Sequence, residues 1–438
     1  MSTSSSITTI QLARLIPTII VGGWPLVLPS YLVQVAKQDI WFAFIFSSAY
    51  GFFLIFMFYM LSKTYPKQHI FEISNALCGK ILGTLINAVL IILIFIALVR
   101  DLSEVSIFIQ TSLLPATPIE FIIFLQLIVV LYFGRHAIQT TFMINDVFFI
   151  VTFTVSVIIL PFVLIGQFYI VNLQPIFELS LMNWINSNLV MFEIFSDLIV
   201  IGAFLHMIKT PQIGKAMRTG LTFTPFYLVI WIVFLVGVIS PITLEKLAFP
   251  LYALVKLAKI SEFLDRMDIL FFSLWFPIFI LKFVFLFHAL HIGIKHFVRN
   301  QQVKVINRPL TLFIYLSGII LFSNYDEVYT FTAYGFFHTI IIQSTIFTLW
   351  AIFFFIKKRK SIPGLHLSQL RASSQNLNMV TIGIYVAATV FILCGMYFGD
   401  FSHILANIFA FLYFAALTIA YYINQVQLNK SPEGGSSH

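Results

Sequence analysis

The chain has 438 residues, 60% hydrophobic and only 10% charged, with a mean hydropathy of +0.98, whereas a soluble domain carries about 25% charge. With 51 Phe, 17 Tyr and 6 Trp it carries more bulky apolar surface than water tolerates. The composition excludes a large soluble domain and a nucleic-acid reader, and points to a chain that crosses a membrane many times.

At about 20 apolar residues per crossing, an all-α polytopic protein of about twelve transmembrane helices is expected. The first span lies between Arg14 and Lys37, the second over 41–62, and the third starts near Ile81 and continues across Arg100, Asp101 and Glu104 to the prolines at 115 and 118. The fourth, between Glu120 and Arg135, is short: its roughly 14 residues cover about 21 Å, so local thinning of the bilayer or extra polar turns at its ends are expected. The fifth follows Asp146, the sixth spans 184–208 with Glu193 and Asp197 inside it, and the seventh covers 222–244. A stretch over about 247–265 mixes charge with Leu251, Leu254, Val255 and Ala258 at helical spacing. It reads as a surface helix that either lies over the outer mouth of a pathway or rests on the bilayer interface. The eighth span runs over 267–294 with Lys282 at its middle, the ninth over 309–324 and the tenth over 328–356. Two more spans are expected within 361–423. They are flanked by a disordered 1–7 at one end and a Gly/Ser-rich tail at 424–438 at the other, which leaves 8–360 as the core.

Lys and Arg set the orientation. With a cytoplasmic N-terminus, 18 of them fall in inside segments and 5 outside, so both termini are expected in the cytoplasm. Most of the net charge of +8 is therefore topology, and the run Lys357, Lys358, Arg359, Lys360 suits anionic lipid headgroups. Cys78 and Cys394 are too few for a disulfide framework or thiolate metal site, and no cleavable leader is expected. His288 and His291 lack a third ligand nearby and read as interfacial. No phosphate loop, catalytic triad order or cofactor fingerprint occurs, so neither enzyme activity nor a cofactor or metal is expected.

Two features mark a polar site. The first span contains Gly22, Gly23, Trp24 and Pro25, then Pro29. Pro removes an amide donor and Gly tolerates angles that other residues avoid, so two half-helices are expected to meet at mid-membrane, their free amides and carbonyls open to a ligand. A proline kink that serves packing alone is the alternative. The second feature is charge inside spans. Arg100 and Glu104 are four apart and are expected to pair locally. Glu193 and Asp197 share a helical face, which requires a proton or a nearby cation, and Lys282 is expected to supply that cation beside a polar cavity. The alternative is Lys282 snorkelling to an interface. The candidate ligand-binding set is Gly22, Gly23, Trp24, Glu104, Glu193, Ser196, Asp197 and Lys282.

The stretch from Leu98 through Arg100, Asp101, Ser103 and Glu104 to Val105, followed by Leu113, Leu114, Pro115, Ala116, Thr117, Pro118, Ile119 and Glu120, resembles the third-span signature of the bacterial spore germination permease family. These are the B subunits of nutrient germinant receptors, within the amino acid/polyamine/organocation transporter superfamily. Gly22, Leu28 with Pro29, Asp265, Arg266, Asp268, Trp275 and the basic run at 357–360 add to the likeness, which covers about 8–360. The resemblance implies a leucine-transporter-like core in which spans one to five and six to ten form an inverted repeat. A nutrient, often an amino acid, is then held between the broken first and sixth spans and walled by the third and eighth. It also implies the inner membrane of a spore and partner A and C subunits. A proton-coupled secondary transporter of an amino acid or amine is the alternative function. The chain departs from the family pattern at Trp24, where a second glycine is usual, at Asp197, where no central glycine breaks the sixth span, and in the two spans beyond ten.

Overall fold

A computed structural model describes residues 7–23, 26–208, 213–258, 267–298, 303–322, 324–360, 403–429 and parts of 380–394. Among them the architecture is helical throughout, apart from an isolated bridge between Ile7 and Ile208. A reciprocal capping box of Thr8 and Gln11 opens α1 (Thr9–Val21). After a break the chain resumes as α2 (Leu28–Ala36), with Pro29 in the first turn, where a missing amide costs nothing. Next come α3 (Ile40–Thr64) and α4 (Ile70–Cys78). Gly79, at φ 81°, turns the chain into α5 (Lys80–Phe108), which continues through a widened turn at Ile109–Leu113. The helices α6 (Ile119–Gly134), α7 (Ile138–Thr154) and α8 (Leu160–Leu164) complete the first stretch.

Ser180 caps α9 (Leu181–Ser196), which tightens into a 3-10 turn at Asp197–Val200 before α10 (Ile201–Phe204). Then follow α11 (Ile213–Ile239), α12 (Pro241–Leu244), α13 (Pro250–Leu257), α14 (Met267–Phe297) and α15 (Val303–Ile320). After these come α16 (Tyr325–Tyr334), α17 (Phe336–Lys360) and α18 (His403–Asn429).

The core lies where α1, α5, α9 and α14 meet; α14 buries Phe279, Phe283, Phe285 and Phe287 completely. On the periphery α6 and α7 expose Phe121, Phe124, Ile128, Met143, Val147 and Ile150. Water would penalise such a face and hydrocarbon accepts it. The molecule is an integral membrane protein.

Among the described residues, five helices are by themselves long and apolar enough to cross a bilayer, and two bent pairs raise the number to seven, against the dozen expected for the whole chain. Helix breaks account for part of the difference. The two halves of the first span have 13 and 9 residues, and α6 has 16, or about 24 Å of helix. The fifth span also starts earlier than expected, at Ile138: Asp146 sits inside α7 because Arg14 on α1 pairs with it at 3.0 Å. Of the expected surface helix, α13 is described. It buries Leu251, Leu254 and Val255 against the ends of α2, α11 and α14, so that face meets protein. The segment 259–266, most of the eleventh expected span and the tail from 430 lie outside the described residues.

Candidate functional site

In the first span α1 ends with the Gly22 amide donating to the Thr18 carbonyl at 3.0 Å. Trp24 and Pro25 lie outside the described residues. The glycines are required by what lies against them. A Cβ on Gly22 would come within 2.9 Å of the Lys282 Cβ, and one on Gly23 within 2.5 Å of the Lys282 Nζ and 3.0 Å of an Asp101 carboxylate oxygen. The lysine of α14 and the aspartate of α5 thus approach the opened backbone as closely as a glycine permits. Beyond the break, the Val27 amide at the head of α2 donates to Glu104 Oε1 at 3.2 Å, so a carboxylate of the protein itself sits at the positive end of that half-helix.

Six charged side chains converge at this point from α5, α9 with its 3-10 turn, and α14. Arg100 is 6% exposed, Asp101 1%, Glu104 3%, Glu193 5%, Asp197 5% and Lys282 1%. Arg100 is the hub. Its Nε donates to Asp101 Oδ1 at 2.9 Å, one terminal nitrogen to Asp197 Oδ2 at 3.0 Å, and the other to Glu193 Oε1. Lys282 Nζ lies 2.6 Å from Asp197 Oδ2 and 2.7 Å from Asp101 Oδ2. Buried charges persist only when paired and hydrogen-bonded, and this network pairs both cations. It contains four carboxyl groups and two cations, so carboxyl groups outnumber cations by two.

The sixth span, by contrast, stays helical from Asn183 to Met207, and the break that the resemblance implies is there only a tightening into a 3-10 turn at Asp197–Val200. Where α9 tightens, the Ser196 carbonyl receives the Gln343 side-chain amide at 3.1 Å, and Gln343 in turn accepts the Tyr50 hydroxyl at 2.8 Å. A main-chain carbonyl at the turn thereby gains a partner from α17, itself held by α3. The Ser196 hydroxyl donates to the Glu193 carbonyl of its own helix at 2.7 Å.

Of the expected set, Gly23, Glu104, Glu193 and Asp197 line a common void, and Gly22 and Lys282 pack beside it; Ser196 lies on the far side of Asp197. The expected pairing of Lys282 with Asp197 is present. The expected local pair of Arg100 with Glu104 is not: Arg100 turns toward α9, where it is the cation of Glu193 and shares Asp197 with Lys282, and Glu104 takes the amide of α2. Arg100 and Asp101 are the members of the cluster that the expected set left out, although their place inside an apolar span was a usable signal. The contributions of α17, Thr339 and Gln343, carried no signal in the sequence. The void by Gly23 measures about 20 Å³, whereas a second cavity, between α5, α9 and α17, measures about 130 Å³. His288 and His291 stand in α14 apart from this cluster, and among the described residues no group of three His, Cys, Asp or Glu is arranged to hold a metal.

A family model described as spore germination protein matches residues 6–328. The chain is 24% identical over 312 residues to spore germination protein YndE of Bacillus subtilis, covering 69% of this chain and 84% of that one. It is 20% identical over 298 residues to spore germination protein KB of the same organism, covering 67% and 80%. Among solved structures it is similar to the inward-facing conformation of Mhp1, with a TM-score of 0.53 at 11% identity over 100% of this chain and 96% of that one. At that identity the likeness shows a transporter-like fold and nothing more. By its matched length and the charged signature of α5, the chain belongs to the spore germination protein family.

Proposed function

We propose that this protein is the membrane-embedded subunit of a nutrient germinant receptor. It holds a small nutrient at mid-membrane, beside Gly22, Gly23, Trp24, Glu104, Glu193, Ser196, Asp197 and Lys282, and signals germination to A and C subunits. It resides in the inner membrane of a spore with both termini cytoplasmic, and its roughly twelve spans include two inverted sets of five. Packing supports the repeat: α1 lies on α11 and α7, and α9 lies on α3 and α17, so the first helix of each set touches the second helix of the other set and the last of its own.

The observation that carries this reading is the convergence of the interrupted first span and the tightened turn of the sixth on one buried cluster whose carboxylates outnumber its cations. A ligand that prefers one arrangement of these helices shifts the population toward it, which is all a receptor needs. A thermal-shift screen of amino acids, sugars and nucleosides on the purified chain tests it. One class should raise the melting temperature in proportion to the logarithm of its concentration; no stabilisation by any of them contradicts the reading.

A proton-coupled transporter of an amino acid or amine is the second reading, favoured by the transporter-like fold and by surplus carboxylates able to carry protons. Labelled uptake into vesicles, abolished when the proton gradient collapses, would select it over the receptor.

A further inference from the structure

The space by Gly23 is sized for one water, and the cavity between α5, α9 and α17 is the roomier neighbour. Leu93 and Ala97 on one face of α5 and Ile342 on α17 form its apolar wall, and Glu193 and Asp197 form part of the polar one. A cavity of about 150 Å³ takes a benzene ring, so this one suits a short hydrocarbon tail with its head at the charged wall.

The charged wall selects the head group. A ligand carboxylate needs a cation or a free amide, and those described here already serve the protein's own carboxylates. Arg100 binds Asp101, Glu193 and Asp197; Lys282 binds Asp101 and Asp197; the amide opening α2 binds Glu104. His338 also lines the cavity, but it is exposed. Glu193 is the opposite case. Its Oε1 takes Arg100, while Oε2 is buried, meets no charged donor in hydrogen-bonding geometry, and has the Thr339 hydroxyl beside it. A carboxylate oxygen served by at most one hydroxyl keeps an accepting site to spare, and an ammonium would fill it.

Resting on the nutrient-binding reading above, we propose that the ligand is a small primary amine with an apolar tail and no carboxylate. It is seated between α5, α9 and α17 with its ammonium on Glu193 Oε2.

Three probes that share one isobutyl group separate the head groups: 3-methylbutylamine, L-leucine and 4-methylpentanoate, each titrated against the detergent-purified full chain by thermal shift. The amine should raise the melting temperature by several degrees at millimolar concentration, and the other two by less than a degree. Glu193→Gln should remove the amine's effect, and so should Ala97→Phe, which fills the cavity without touching a charge and decides the matter if Glu193→Gln does not fold. A larger shift with leucine, an amine shift that survives Ala97→Phe, or no shift with any probe overturns the proposal. Leucine binding alone would leave the nutrient reading standing, and that reading falls only if the wider nutrient screen is also blank.

Discussion

Spans one and six meet the same charged cluster in different ways. In the first, the interruption is written in the backbone: Gly22 and Gly23 leave no side chain, and Lys282 and Asp101 move into the vacated space. The sixth, with no glycine at that point, stays helical and only tightens at Asp197, which Arg100 and Lys282 hold, while the Ser196 carbonyl accepts the Gln343 amide. One span is opened by what its own residues lack, and the other is tied in place by charges and an amide from distant helices.

The largest expected effect strikes the group common to both. Lys282→Met leaves Asp101 and Asp197 buried without their ammonium, at about 3–5 kcal/mol, and should give the deepest drop in detergent melting temperature. Asp197→Asn keeps the shape and lets both cations retain other carboxylates, so it should cost about 1–3 kcal/mol. If Asp197→Asn proved the more damaging, the excess of carboxylates in the cluster would be misread.

The next pair compares the two spans directly. Gly23→Ala places a methyl within 2.5 Å of Lys282 Nζ, an overpacking worth about 1–3 kcal/mol. Ser196→Ala removes only a hydroxyl bonded back to its own helix and should cost under about 1 kcal/mol. Equal melting temperatures for the two variants would erase the distinction between a sterically opened span and a tightened one.

The smallest effect lies outside both spans, at the cap of α4. Burial, and then the neighbouring His206 and His296, push the His69 imidazole down to about 3, while the unfolded chain takes its proton near pH 6.5. The unfolded state therefore binds more protons between those values, and stability is full above about pH 6.5 and declines as the pH falls below it. His69→Asn retains a side-chain acceptor for the Glu72 amide and should flatten the melting profile between pH 7 and 5. A wild-type profile that rises on acidification would contradict this.

Most of the first break was legible in the sequence, because Gly and Pro act on the chain locally. The charged residues were legible as a class, since ionisable groups in apolar spans stand out, but their partners were not. Arg100 has Glu104 one turn away, and the spacing alone favours that pair. The choice of Glu193 and Asp197 instead depends on α9 lying against α5, which no local pattern encodes. The fifth span was misplaced for a related reason: Asp146 marks a helix end only if it is unpaired, and Arg14 pairs with it across helices. The wall provided by α17 was invisible because Thr339 and Gln343 are ordinary polar residues until another helix needs them.

The central claim is that a nutrient completes the bonding of the cluster beside the first-span break and the sixth-span turn. Nutrient-triggered germination of spores carrying Asp197→Asn, with the protein present at its normal level, tests it most directly. Loss of the response, with germination by a route independent of this receptor intact, is the predicted result, and a nutrient sensitivity equal to that of unaltered spores would contradict it.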